Sequence, residues 1–283
     1  MNVKLISDSA CDMTQNEARE QDVIVLPLKT IIDGDEYLDG VTITTEEFYE
    51  KLENCRELPT TSQISPAEFE DVLRPIVKSG DEAVIITIAG KLSGTAQSAV
   101  IATAGIGAGV WVVDSGNVTI GQGILLRYAI RLRDQGLTGR EITENLERVK
   151  SRICLLARVD TLEYLMRGGR LSKTAAIAGS LLHIKPVLSV ENGEIKVLGK
   201  ARGSRQSDNM LTEFIKKKGG ADFSMPVMLA YSGTDDALLK GYIDNSRALW
   251  KDHLDVLPIT MIGSTISTHA GPGAIAVAFF AKE

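Results

Sequence analysis

Three short stretches carry residue types that could do chemistry. The first is Ser93-Gly94-Thr95, which follows the apolar, β-branched run 82–89 and precedes a helix-like segment. A buried strand, a glycine turn and a new helix place two hydroxyls beside unpaired N–H groups and the positive end of a helix dipole. That arrangement holds anions, and a hydroxyl there equally serves to cap its own helix. The second is Thr60-Thr61-Ser62, bracketed by Pro59 and Pro66. Ser65 before Pro66 reads as an ordinary helix cap. The three preceding hydroxyls are then either a polar loop or a ligand site. The third is His269, in the Gly/Pro-rich segment that closes the chain, expected to be a loop.

These residues suit some chemistries better than others. Gly90-Lys91-Leu92-Ser93-Gly94 sits on a strand-to-helix turn, but its serine falls one place late for the nucleophile elbow of a hydrolase. Of the three histidines, His183 reads as a packing residue and His253 as a surface one, which leaves His269 without an identifiable orienting acid. The alternative of a lipid acyl-hydrolase using Ser93 and His269 therefore lacks a triad. No His, Cys, Asp and Glu cluster has metal-ligand spacing, and Cys11, Cys55 and Cys154 are too far apart for a Cys-x-x-Cys site. Gly105, Gly107 and Gly109 precede a strand, whereas a dinucleotide fingerprint must follow one. Hydroxyls, a helix N-terminus, one histidine and an arginine beside glycines (Arg170) hold an anion better than they transform one.

The elements that position these residues alternate between strand and helix. The 283 residues suffice for two α/β domains, expected at 1–155 and 156–283 with a cleft between them as the ligand site. Strands are expected at 3–6, 23–28, 82–89 and 110–115, so the first domain is mostly parallel. The second is mixed, because Asn192-Gly193 marks a hairpin turn between strands at 186–190 and 195–198. Helices are expected at 67–79, 117–135, 138–152, 173–182, 207–218 and 234–250. A net charge of −6 argues against nucleic-acid binding. No stretch approaches the roughly 18 apolar residues of a membrane span or signal-peptide pattern, so a cytoplasmic protein with no stable membrane insertion is expected.

Taken together, Asp8-Ser9-Ala10-Cys11-Asp12, Tyr37-Leu38-Asp39-Gly40, Pro59-Thr60-Thr61-Ser62-Gln63, Leu92-Ser93-Gly94-Thr95-Ala96-Gln97-Ser98-Ala99, Leu165-Met166-Arg167-Gly168-Gly169-Arg170-Leu171, Arg202-Gly203 and Thr268-His269-Ala270-Gly271-Pro272-Gly273-Ala274 resemble the DegV family of bacterial fatty-acid-binding proteins. The resemblance implies two α/β domains with one long-chain fatty acid between them and no other cofactor. It implies that Thr61, Ser62, Ser93, the Gly94 N–H and His269 hold the carboxylate, with Thr95 and Arg170 in support. It also implies a non-catalytic subunit that presents the acid to a separate ATP-binding kinase, which makes acyl phosphate for phospholipid synthesis. Arg202 and Lys173 would then face that partner.

Overall fold

The computed structural model describes residues 2–171, 184–250 and 252–282. Lys173, His183 and the helix expected at 173–182 lie outside the described residues.

Four strands form a parallel sheet in the order β2 (Val23–Leu26), β1 (Val3–Asp8), β6 (Glu82–Thr87), β7 (Val110–Asp114). Ile85 pairs with Ile6 on one side and Val112 on the other. The five residues Ala83–Thr87 are all buried, as expected of a central strand covered on both faces. A second, antiparallel sheet joins β4 (Asp35–Leu38), β3 (Lys29–Ile32) and β5 (Thr60–Ser62). The hydroxyl-rich stretch is thus an edge strand rather than a loop, its β-branched threonines fitting a pleated surface.

The largest sheet is mixed, in the order β10 (Glu194–Arg202), β9 (Ile184–Glu191), β8 (Ile153–Arg158), β13 (Ile275–Phe280), β11 (Met228–Tyr231), β12 (Ile259–Met261). All its neighbours run antiparallel except β11 and β12. Strand β8, absent from the strands expected from sequence, begins at Ile153 directly after a short 3-10 turn. In place of one helix over 234–250 the structure has two, Ala237–Asn245 and Arg247–Trp250, separated at Ser246.

One helix ties the two large sheets together. Ile120–Asp134 buries ten of its fifteen residues, too many for a single apolar stripe, and it packs against β1, β6, β8, β11 and β13. Residues of both sheets, from Ile6 and Ile86 to Ala276 and Phe280, consequently share one core. Among the described residues no helix is long and apolar enough to cross a membrane.

Candidate functional site

A cavity of about 300 Å³ opens where the carboxyl ends of the parallel strands meet β8, β9 and β13. Ligands of open α/β sheets collect at that edge. The wall is mostly aliphatic, with Ile88, Leu92, Leu155, Leu188, Ile195 and Ile266 among its side chains. Thr61, Ser62, Ser93, Gly94, Arg170 and His269, brought from four separate stretches of sequence, also line it.

His269 is the hub of the polar part. It lies in a seven-residue helix, Ser264–Ala270, and not in a loop. The turn chemistry begins only at Gly271, where φ becomes positive. Its Nε2 is 2.8 Å from Thr61 Oγ1. Burial, reinforced by the nearby Arg170 guanidinium, pushes the imidazole down to about 4, so the ring is neutral at physiological pH. Its Nδ1 is buried and unpartnered. A Cβ on Gly168 would come 2.2 Å from that atom, so only glycine fits there.

The Ser93 turn closes the same end. Gly94 takes the N-cap position of the helix Thr95–Ala104 with no side-chain cap. Ser93 Oγ lies 2.9 Å from Thr95 Oγ1 and accepts the Thr95 N–H at 3.3 Å. Thr95 itself is fully buried behind Ser93. Gly94 leaves room for Gln63: a Cβ there would sit 1.9 Å from the Gln63 amide oxygen. The Gln63 Nε2 donates to Ser98 Oγ (2.9 Å). Arg170 donates from Nε to the Leu92 carbonyl (3.1 Å) and from Nη1 to the Gly168 carbonyl (2.7 Å). The guanidinium thereby fastens the two glycine-containing turns to each other at the cavity mouth.

Ser93 pairs with Thr95 and His269 with Thr61, so the described residues hold no serine and histidine in the nucleophile–base contact that acyl transfer requires. Among the described residues no group of His, Cys, Asp and Glu is arranged to hold a metal. Arg202 is exposed at the end of β10, outside the residues that line the cavity. His253 is half-buried and stacks on Phe223 at 3.8 Å, remote from the cavity wall.

Several wall residues went unnoticed in the sequence. Gln63, next to the hydroxyl run, could have been included by adjacency. Thr265 lies one helical turn from His269 on the same face, a spacing visible only once 264–270 is known to be helical. Thr119 has φ +50°, unusual for a β-branched residue, and sits on the wall with its hydroxyl bonded to Asp12.

Fold and cavity together define an α/β protein with an internal, mainly apolar chamber closed at one end by hydroxyls and a neutral imidazole. The DegV family profile matches residues 2–282, and the chain belongs to that family. A DegV domain-containing protein of Caldanaerobacter subterraneus subsp. tengcongensis is 35% identical over 283 residues, 99% of each chain. Among solved structures, a DegV family protein from Thermus thermophilus described by its fatty acid binding superposes with a TM-score of 0.87 at 30% identity, covering 99% of this chain and 100% of the other. A fatty acid binding DegV family protein from Streptococcus agalactiae gives 0.86 at 29% identity, with all of both chains covered.

Proposed function

We propose that this chain is a carrier of one long-chain fatty acid, without catalysis of its own. The observation that carries the reading is the cavity: a mainly aliphatic chamber lined also by Thr61, joined to His269, and by the Ser93-Gly94 turn, which packs on Gln63. The tail occupies the aliphatic wall. The carboxylate sits among Thr61, Ser62, Ser93, the Gly94 N–H and His269, with Thr95 orienting Ser93 and Arg170 fixing the turns. The solved relatives named for fatty acid binding support the choice of ligand.

The proton arrangement fits an anion. A neutral imidazole protonated on Nε2 donates to Thr61 Oγ1, which frees the threonine O–H to donate to a carboxylate. The unpartnered Nδ1 is then a bare lone pair rather than a stranded donor. About 14 buried methylenes at about 0.8 kcal/mol each represent roughly 11 kcal/mol of transfer free energy, while each hydrogen bond to the carboxylate nets about 1.5 to 3. Retention belongs to the tail and direction to the hydroxyls.

The finer parts of the proposal rest on the sequence resemblance: residues 1–155 and 156–283 form two domains around the ligand, the protein works in the cytoplasm, and it presents the carboxylate to a separate ATP-binding kinase through a surface that includes Arg202. Denaturing mass spectrometry of an organic extract from detergent-free protein tests the carrier role. A stoichiometric long-chain acid is expected; an empty extract with no uptake of added palmitate or oleate overturns it. Acyl phosphate formation on mixing with the ATP-binding subunit tests the presentation step, and an Arg202→Ala variant that is phosphorylated normally removes that residue from the partner surface.

A further inference from the structure

Two of the sequence motifs, Asp8-Ser9-Ala10-Cys11-Asp12 and Tyr37-Leu38-Asp39-Gly40, contribute nothing to the cavity wall. The structure shows where their side chains go instead. Asp39 is 4% exposed and Asp12 6%. Asp39 Oδ1 accepts both the Ser264 N–H (2.9 Å) and the Ser264 hydroxyl (2.7 Å), and its Oδ2 accepts from Ser9 Oγ (2.8 Å). Asp12 Oδ1 accepts the Gly263 N–H at 2.9 Å, and its other oxygen takes the hydroxyl of Thr119. Two buried carboxylates from distant parts of the chain therefore grip consecutive residues, Gly263 and Ser264, at the start of the helix that carries His269.

That helix cannot hold itself in place. Seven residues, four of them Ser or Thr, are too few and too poor in helix propensity to be stable alone. Side chains at Thr30 and Tyr49 also reach it, at Ser264 Oγ (3.2 Å) and Ser267 Oγ (2.6 Å). Among the described residues, only the two carboxylates bond the backbone N–H groups of Gly263 and Ser264. The same Asp12 fixes Thr119, whose left-handed backbone would relax without an external restraint.

The geometry points to Asp12 and Asp39 as positioning residues for the fatty-acid site: by clamping Gly263 and Ser264 they set where His269 meets Thr61. The inference rests on the carrier reading, deepens it, and gives the two motifs a task. Burial raises Asp12 to about 7, so the comparison is made at pH 8, where it is ionised; hydrogen bonds to ionised groups are about twice as strong as neutral ones, and replacing either carboxylate by its amide then loosens the clamp without changing its size.

The test compares Asp39→Asn, Asp12→Asn and the milder Ser264→Ala with wild type and with a surface control, Asp71→Asn. Dissociation constants are measured for palmitate and for 1-hexadecanol, which has the same chain and no carboxylate. The clamp variants should bind palmitate about five- to tenfold more weakly while hexadecanol stays within about twofold, since each loses part of a charge-assisted bond. In a His269→Ala background the palmitate loss should vanish, because the clamp acts through that residue. Nitrogen-15 NMR of the ligand-free protein should show the His269 ring signals shifted in the clamp variants and unmoved in the control. Equal weakening of both ligands, or loss of palmitate affinity that persists without His269, overturns the inference as mere destabilisation. Should wild type take up neither ligand, the carrier reading falls, and unmoved His269 signals then overturn the clamp separately.

Discussion

Thr61→Val is the substitution that most directly tests the polar end of the cavity. Valine keeps the β-branched shape that suits β5, where Thr61 pairs with Thr30, and replaces only the hydroxyl. Two effects follow from the 2.8 Å contact with His269. In the free protein the imidazole, whose Nδ1 already lacks a partner, loses the partner of its other nitrogen. A buried polar group left unpaired costs about 1 to 3 kcal/mol, which for a chain of this size lowers Tm by several degrees. In the complex, one hydrogen bond to an ionised carboxylate disappears, worth about 1.5 to 3 kcal/mol. At about 1.4 kcal/mol per tenfold, palmitate should bind roughly 10- to 150-fold more weakly. The assay is isothermal titration or displacement of a fluorescent fatty acid, run in parallel with 1-hexadecanol, whose affinity should change little. Folded Thr61→Val that binds palmitate within twofold of wild type refutes the placement of the carboxylate at Thr61.

Three further expectations are open to simpler measurements. Ser93→Ala removes the hydroxyl shared with Thr95 and should weaken palmitate by about tenfold at a small cost in Tm, since the bond it accepts from the Thr95 N–H is a long one of 3.3 Å; an unchanged dissociation constant would take Ser93 out of the site. Ala276→Leu projects three more carbons into the cavity and should hold or raise the Tm of the empty protein while abolishing stoichiometric palmitate in extracts; retained stoichiometry would show that the tail lies elsewhere. Burial pushes Asp8 up to about 6 and Asp12 up to about 7, so the native state binds protons that the unfolded chain releases above about 4. Their contribution is full below about pH 4 and is lost as pH rises through 6 and 7. His269, pushed down to about 4, acts in the opposite sense, its contribution being lost as pH falls from 6.5 through 4. Asp12→Asn should therefore lose stability less steeply than wild type between pH 5 and 7 in urea titrations, and an identical slope would contradict the burial argument.

The parts of the site that could be read from sequence share a local signature. Ser93-Gly94-Thr95 was legible because a run of β-branched residues, a glycine and a helix-like stretch follow one another without a gap. The capping boxes of Thr44, Ser65 and Thr138, all present in the structure, follow the same logic of neighbours three residues apart. His269 was placed in a loop because Ser-Thr-Ile-Ser-Thr-His has hydroxyls that compete for backbone hydrogen bonds, and nothing nearby announces the remote carboxylates that hold it helical. Strand β8 escaped for a related reason. Ile153-Cys154-Leu155-Leu156-Ala157-Arg158 reads equally as the tail of the preceding amphipathic helix, and only its antiparallel pairing with β13 and β9 settles its conformation. Asp8, at the carboxyl edge of β1, is fully buried and takes the Ile88 N–H at 2.8 Å, securing the start of the Ser93 turn, a task set by a contact 80 residues away and so invisible locally.

The character of the polar end bears on what a carrier must do. A salt bridge from an unpaired arginine would hold a carboxylate firmly and neutralise it, but Arg170 spends donors on the Leu92 and Gly168 carbonyls, and His269 is uncharged. On the proposed reading the carboxylate meets neutral donors that orient it without forming an ion pair with His269. Its oxygens keep their negative charge, which is the property a phosphoryl acceptor needs. The roughly 11 kcal/mol of tail transfer makes a tighter grip on the head unnecessary. An aliphatic wall for retention and hydroxyls for direction let one cavity keep an acid out of water while leaving its reactive end nucleophilic.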